Sequence, residues 1–178
     1  MRRILSVAAV AALAVTASAS ATHAQLSPQL GLRAGLSVPV GDLKTSQDNG
    51  YNLGVSLGLK PVLSPVGVRL EAAFNQFSAK STIPGNVDAR VFEGTANLVL
   101  DLFPLPTFAL YAVGGGGLYN TKIGSGTGSS ATDPGVNVGG GLRFGLAGFS
   151  AHVEARIHNT FSDGGNLRYV PLTVGISF

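Results

Sequence analysis

Four side chains that could bind a metal ion or transfer a proton lie at alternate positions of one short segment near the C-terminal end. These side chains are His152, Glu154, Arg156 and His158. In an extended strand, residues two apart point to the same face, so we expect all four to project together. Arg143 and Tyr169, on neighbouring segments, could join them. The sequence therefore predicts one polar face that carries imidazole, carboxylate and guanidinium groups.

This polar face has two chemical interpretations and one structural interpretation. The two imidazoles could bind a metal ion, or one of them could act as a general base beside Glu154. Six residues of strand, however, would separate His152 from His158 by roughly 20 Å, which is too far for one ion. We therefore favour a hydrogen-bonded polar network, and we expect no metal, no cofactor and no catalytic residue.

Two runs of glycine, at residues 114–117 and 139–141, are the other stretches that could suggest a ligand. A phosphate-binding loop needs a following Lys-Ser or Lys-Thr pair and a strand-to-helix turn, and neither run has them. Close strand packing or local bending explains these glycines better.

The elements that position these residues are eight segments in which apolar and polar residues alternate. Such alternation is typical of two-faced β-strands, and about ten residues is the length that a tilted strand needs to cross a bilayer. The eight predicted strands cover residues 28–38, 51–60, 68–75, 90–102, 108–119, 136–146, 149–158 and 166–178. In the fifth, glycines interrupt the pattern, but Tyr111 and Tyr119 still share the polar face.

Alternation does not decide which face lies inside a barrel. A soluble lipocalin-like barrel buries its apolar face, whereas a membrane barrel exposes that face to lipid. The polar face here is rich in Gly, Ser, Asn and Thr, which suit a narrow interior better than a soluble surface. Its charges nearly balance and can pair inside, where an unpaired charge would cost several kcal/mol. The positive residues are Arg33, Lys60, Arg69, Arg143 and Arg156, and the negative ones are Glu71, Glu93, Asp101 and Glu154.

The connections between these strands alternate in length, which also favours a membrane barrel. Short connections at residues 61–66, 103–107 and 147–148 alternate with longer ones at 39–50, 78–86, 120–134 and 159–165. Outer-membrane barrels have short periplasmic turns and longer extracellular loops. We accordingly expect two aromatic bands, a periplasmic one of Phe108, Phe144, Phe149 and Phe178 and an outer one of Tyr51, Phe74 and Phe92.

The N-terminal segment is predicted to be a secretory signal peptide. Residues 1–24 carry Arg2 and Arg3, then an apolar run too short to span a membrane as a helix, then small residues. Cleavage is expected after Ala24 or after Ala21. The remaining residues 25–178 suffice for one domain. They contain no Cys, which excludes disulfides and Cys-based metal sites.

The charge composition argues against one class of partner and favours strands in lipid. Without Arg2 and Arg3, the 12 Lys and Arg of the chain fall to ten, against nine Asp and Glu. The remaining chain is thus nearly neutral, and a nucleic-acid partner is not expected. Charged residues make up 12% of the sequence, against about a quarter in a soluble domain.

The last predicted strand ends on Phe178, with Val174 and Ile176 on the same apolar face. It resembles the closing strand of bacterial outer-membrane barrels, in which such a strand is recognised by the barrel-assembly machinery. From about residue 26 to 178 the chain resembles the small eight-stranded OmpA/OmpX-type barrels, in the outer-membrane β-barrel domain family. The resemblance implies an all-β, eight-stranded antiparallel up-and-down transmembrane barrel in the cell outer membrane. Because Pro171 lies inside this strand and lacks an N–H, we expect a bulge there.

The resemblance also implies a structural or surface-interaction role, such as envelope integrity or adhesion through extracellular loops, without enzymatic activity. The expected partners are outer-membrane lipid and lipopolysaccharide, the barrel-assembly machinery, and an extracellular ligand of the loops. We expect a monomer. The lumen is expected to be plugged by the polar side chains of Arg33, Arg69, Glu71, Glu93, Arg143, His152, Glu154, Arg156 and His158.

Three alternatives stay open. Some barrels of this type are enzymes that modify lipid A, and Ser162 near His158 could form a Ser/His deacylase pair. Such a site must face lipid, however, and the alternation places His158 on the lumen face. A narrow or transient channel through rearranged ion pairs is the second alternative. A soluble, lipocalin-like ligand-binding barrel is the third.

Overall fold

The computed structural model describes residues 26–62, 64–105, 107–124, 130–162 and 165–178, and the predicted signal peptide lies outside them. Eight strands and one short helix, α1 (Leu43–Ser46), make up the fold. The strands are β1 (Leu26–Val40), β2 (Gln47–Pro61), β3 (Val66–Ala79), β4 (Ala89–Pro104), β5 (Phe108–Ile123), β6 (Ser130–Leu146), β7 (Phe149–Thr160) and β8 (Arg168–Ser177). No helix within the described ranges is long and apolar enough to cross a membrane.

The strands form one closed antiparallel barrel in which each pairs with its neighbours in sequence. The ring closes where β1 pairs with β8, from Gly31 opposite Ser177 to Val40 opposite Arg168. The backbone of Phe178 extends this seam through two hydrogen bonds with Leu30. Closure removes the free strand edges that would otherwise leave N–H and C=O groups unpaired. The predicted eight-stranded up-and-down architecture is confirmed.

Polar side chains point into this barrel and apolar side chains point out. Asn52, Asn75 and Glu93 are fully buried, whereas Leu32 and Val174 are 56% and 60% exposed. A barrel in water has the opposite arrangement. Exposed leucines around a charged interior are typical of a barrel that is surrounded by lipid.

Several strands are longer than predicted at the end that carries the longer connections. β5 runs to Ile123 and β6 begins at Ser130, although the polarity pattern predicted residues 119 and 136 as their limits. Asn120 still pairs with Thr132 there, and Lys122 pairs with Ser130. Above a hydrocarbon layer the outward face need not be apolar, so the ladder continues where the alternation of polarity has ended.

Aromatic side chains lie on the outer wall at both ends of the barrel, as predicted. Near the described termini, the ring centroids of Phe108 and Phe144 are 5.6 Å apart and those of Phe149 and Phe178 are 6.2 Å apart. At the opposite end, the rings of Tyr51 and Phe74 are 6.1 Å apart, and Phe92 pairs with Phe74 across β3 and β4. Such bands are typical of the two interfaces of a bilayer.

The bulge expected at Pro171 is absent from the described β8, and that prediction is wrong. The β7–β8 pairs Ala155–Leu172 and His158–Tyr169 keep one register on either side of the proline. Pro171 only interrupts the ladder towards β7, while its pairing with Ser37 on β1 continues. The missing N–H of Pro171 therefore interrupts the pairing of β8 with β7, but no extra residue is inserted into the strand.

Gly35 provides a test of how tightly the β1–β8 seam is packed. A Cβ added at this position would collide with the backbone of Leu172 and Thr173 across the seam. We expect Gly35→Ala to lower the free energy of unfolding by about 1–3 kcal/mol. Gly94→Ala on β4 is the control, because a Cβ there would meet no atom within 4 Å. The readout is the temperature at which the folded, faster-migrating form disappears on a detergent gel, and equal shifts for both variants would contradict the prediction.

Candidate functional site

The centre of the barrel holds three arginines and three glutamates from four strands. Inward positions place Arg33 on β1, Arg69 and Glu71 on β3, Glu93 on β4, and Glu154 and Arg156 on β7. Glu71 contacts all three arginines. Its carboxylate lies 2.5 Å from Arg33 Nη1, 2.5 Å from Arg156 Nη1 and 3.2 Å from Arg69 Nε.

Glu154 is the second carboxylate of this central ion cluster. It lies 2.5 Å from Arg69 Nη2 and 2.8 Å from Arg156 Nε, and it accepts a 2.8 Å hydrogen bond from the hydroxyl of Tyr111. The formal charges of the six residues cancel. Because the Glu71 and Glu154 side chains are only 1% and 2% exposed, each carboxylate depends on these arginines to offset its desolvation.

Glu93 joins the central ion cluster to a layer of rings nearer the longer connections. Its carboxylate lies 3.4 Å from Arg33 Nη2 and 3.4 Å from His158 Nδ1, and it accepts a hydrogen bond from the Tyr169 hydroxyl. The His158 ring stacks on Tyr169 with centroids 5.0 Å apart. His158 Nδ1 also lies 3.1 Å from the hydroxyl of Tyr119. The imidazole is thus held in place by carboxylate and phenol groups inside the protein.

A buried apolar group that the sequence pattern did not predict lies beyond His158. The group consists of Phe77, Ala89, Val91, Tyr119 and Tyr169, with Leu43 and Leu167 packed against it. The alternation could have identified Phe77 and Val91, because they have the same parity as Glu71 and Glu93 on their strands. They were missed because the predicted β3 ended at residue 75 and apolar residues were assigned to the outer face.

A second ionic group lies at the end of the barrel near the described termini. Asp101 forms ion pairs with Lys60 and, at 3.3 Å, with Arg143. The guanidinium of Arg143 lies 5.0 Å from the centroid of the Tyr111 ring. A cavity of about 40 Å³, lined by residues that include Lys60, Arg69, Arg143 and His152, lies nearby. It has room for a few water molecules.

The structure therefore distributes the predicted network residues over three levels. Arg33, Arg69, Glu71, Glu93, Glu154 and Arg156 form the central ion cluster, His158 adjoins it through Glu93, and Arg143 and His152 line the small cavity. His158 lies against Glu93, Tyr119 and Tyr169, whereas His152 lines the small cavity. Among the described residues, no set of three or more His, Cys, Asp or Glu side chains could hold a metal ion.

The proposed Ser/His pair is not brought together. Ser162 donates a hydrogen bond to Asp133, whereas His158 contacts Tyr119 and Glu93. Between the two described side chains there is no hydrogen bond. The C-terminal residues Val174, Ile176 and Phe178 lie on the outer wall with exposed side chains.

Comparisons with known proteins agree with this architecture. The family model of the outer membrane protein beta-barrel domain matches residues 6–178. Among curated protein sequences, none matches the chain. Neisserial surface protein A is similar in structure, with 13% identity, a TM-score of 0.69, and coverage of 86% of this chain and 97% of that one.

Two further solved structures are similar at lower TM-scores. The N-terminal β-barrel domain of Pseudomonas aeruginosa OprF shares 17% identity at a TM-score of 0.51 and covers 86% of this chain and 100% of that one. The outer membrane enzyme PagL shares 13% identity at a TM-score of 0.50, with 84% and 98% covered. At such identities these likenesses establish the fold alone.

Glu71 provides a test of the energetics of the central ion cluster. We expect Glu71→Gln to lower the free energy of unfolding by about 3–5 kcal/mol, because it leaves a buried excess of positive charge. Asp48→Asn is the control, since Asp48 is exposed and surface changes usually stay within about 0.5 kcal/mol. Urea unfolding in lipid vesicles, followed by circular dichroism, measures both. Similar stability of the two variants would contradict an essential role for Glu71.

Proposed function

The chain belongs to the outer membrane protein beta-barrel domain family, and on this basis we propose that it serves a structural or surface-binding role in the outer membrane. The observation that carries the proposal is the buried, charge-balanced cluster across the barrel centre, in which Glu71 contacts three arginines. A barrel closed in this way offers its outer loops, and not its lumen, to other molecules.

We propose that the central ion cluster plugs the lumen. Eight strands enclose an interior only wide enough for side chains, and the cavity beside the cluster measures about 40 Å³. An ion crossing the barrel would have to displace buried pairs such as Arg33–Glu71 and Arg69–Glu154. We therefore expect no stable, wide pore.

The contact surface proposed for an extracellular ligand is formed by the connections opposite the described termini. Two of them are joined to each other: Lys80 Nζ donates to the carbonyl of Lys44 at 2.6 Å, and the Lys80 backbone N–H donates to Ser46 at 3.1 Å. Gln47 adds a 3.0 Å hydrogen bond to the carbonyl of Val87. These bonds order a polar surface that could serve in adhesion or in maintaining the envelope.

Export and assembly complete the proposal. Residues 1–24 would direct secretion, with cleavage after Ala24 or Ala21. Val174, Ile176 and Phe178 would then be recognised by the barrel-assembly machinery. Because closure leaves no strand edge to pair with a second chain, the protein is proposed to act as a monomer.

Replacing Arg69 and Glu71 together tests the plug. The double variant Arg69→Ala/Glu71→Ala removes opposite charges and opens space beside the 40 Å³ cavity, so we expect single-channel conductance in planar bilayers to rise above that of the wild type. Lys44→Ala/Asp48→Ala is the matched control, because it also removes one charge of each sign but lies outside the barrel centre. Unchanged conductance in the lumen variant would argue against these residues as the plug.

Lipid A modification is the competing function, favoured only by the fold shared with the enzyme PagL. In this chain the Ser162 hydroxyl is bonded to Asp133, away from His158. Incubation of the purified barrel with lipid A is therefore expected to leave the lipid mass unchanged by mass spectrometry. A mass change that disappears with Ser162→Ala would establish the enzymatic alternative.

A further inference from the structure

Two cations face outward at the end of the barrel wall that carries the longer connections, directly opposite each other on adjacent strands. Arg90 on β4 pairs in register with Lys122 on β5, and both side chains are exposed. Like charges placed opposite each other on a sheet are destabilising. Neither side chain forms an ion pair or hydrogen bond with any other residue in the described ranges. The nearby Asp88 carboxylate instead accepts a bond from the backbone of Ala79 at 2.8 Å.

A row of aromatic and amide side chains lies immediately below these cations. Phe92 pairs with Phe74 on one side and with Asn120 on the other. Together with Arg90 and Lys122, these three residues line a cleft of about 420 Å³. Gln76 pairs with Arg90 in the upper row and brings a second amide to the rim. The cleft thus combines positive charge, hydrogen-bonding groups and aromatic faces at the level of a bilayer interface.

The wall continues below the cleft as an apolar groove with a floor of small residues. Gly94 is the next outward-facing residue after Phe92 on β4 and pairs with Leu118, and Ala96 pairs with Gly116. These residues belong to a groove of about 960 Å³ that extends across the outer wall to Leu32. A Cβ added at Gly94 would meet no protein atom within 4 Å, so the space above this glycine is open to whatever surrounds the barrel.

We infer that Arg90 and Lys122 bind the phosphate of a lipid A molecule whose acyl chains lie along the groove below. An anion between the two cations would relieve their mutual repulsion and gain charge-assisted hydrogen bonds. Gln76 Oε1 accepts a hydrogen bond from Tyr51, and Asn120 Nδ2 donates one to Thr132. Gln76 Nε2 and Asn120 Oδ1 are left for sugar hydroxyls, which favours a glycolipid over a phospholipid. A free phosphate ion has no acyl chains and would therefore not occupy the groove. The inference rests on the proposed placement of this end of the barrel in the outer leaflet.

The test measures lipid A binding to the full barrel in detergent by native mass spectrometry. We expect Arg90→Gln/Lys122→Gln to weaken binding about tenfold or more, because two charge-assisted contacts are lost. Gly94→Leu should also weaken it, because the side chain fills the groove without a backbone clash. Arg168→Gln is the control: Arg168 is an exposed cation of β8 that is hydrogen-bonded to Asn159 at 2.8 Å, and its loss should change binding less than about twofold.

A comparison of different lipids and of inorganic phosphate identifies which molecule supplies the bound phosphate group. The wild type should bind dephosphorylated lipid A only as weakly as the Arg90/Lys122 variant binds intact lipid A. Phosphatidylglycerol and inorganic phosphate should also bind the wild type more weakly than lipid A does. The inference is overturned if the double variant binds lipid A as tightly as the wild type, if Arg168→Gln causes an equal loss, or if phosphatidylglycerol binds equally well. Heat-modifiable migration on a detergent gel checks separately that each variant is folded. A wild type that fails to insert into vesicles would overturn the membrane role together with the site.

Discussion

Lipid offers no hydrogen-bond partner to a backbone, and the rest of this structure depends on that constraint. Eight strands can pair all their backbone groups only if they form a closed barrel. The pairing of β1 with β8, from Gly31 to Val40, closes it. Closure at this strand number leaves an interior wide enough for side chains alone. Every inward residue must therefore pack against others, and the small residues on this face, such as Gly35, allow the strands to approach.

The narrow interior explains why so many charges lie together. Polar side chains cannot face lipid cheaply, so they are turned inward, where each must find a partner of opposite sign. Glu71 and Glu154 each contact more than one arginine, and Asp101 contacts Lys60 and Arg143. Rings of Tyr119, Tyr169 and Phe77 cover the cluster towards the outer end. If the cluster plugs the lumen as proposed, the loops and the outer wall are the surfaces available for binding.

The sequence predicted the fold and the face of each network residue, because alternation has a period of two and each strand is long. It did not predict the pairs, since the partners of Glu71 depend on the register between strands far apart in the chain. It also missed Phe77 and Val91, which are apolar residues on the inward parity. The exposed pair of Arg90 and Lys122 was missed as well, because Lys122 lies beyond residue 119, where the fifth strand was predicted to end, although Arg90 begins the predicted strand 90–102. At Pro171 the chain lost hydrogen bonds on one side and kept its register, which a sequence pattern cannot distinguish from a bulge.

The orientation of the two strand faces, with the apolar face against lipid and the ionic face inside the barrel, can be measured directly. Because the chain has no Cys, single cysteines can be introduced and labelled with a fluorophore at Leu32, Leu57 and Val174 on the wall and at Lys44 outside it. The account predicts that lipid-borne quenchers extinguish the three wall labels and that aqueous iodide reaches only the label at residue 44. Wall labels quenched by iodide and untouched by the lipid-borne quencher would contradict it.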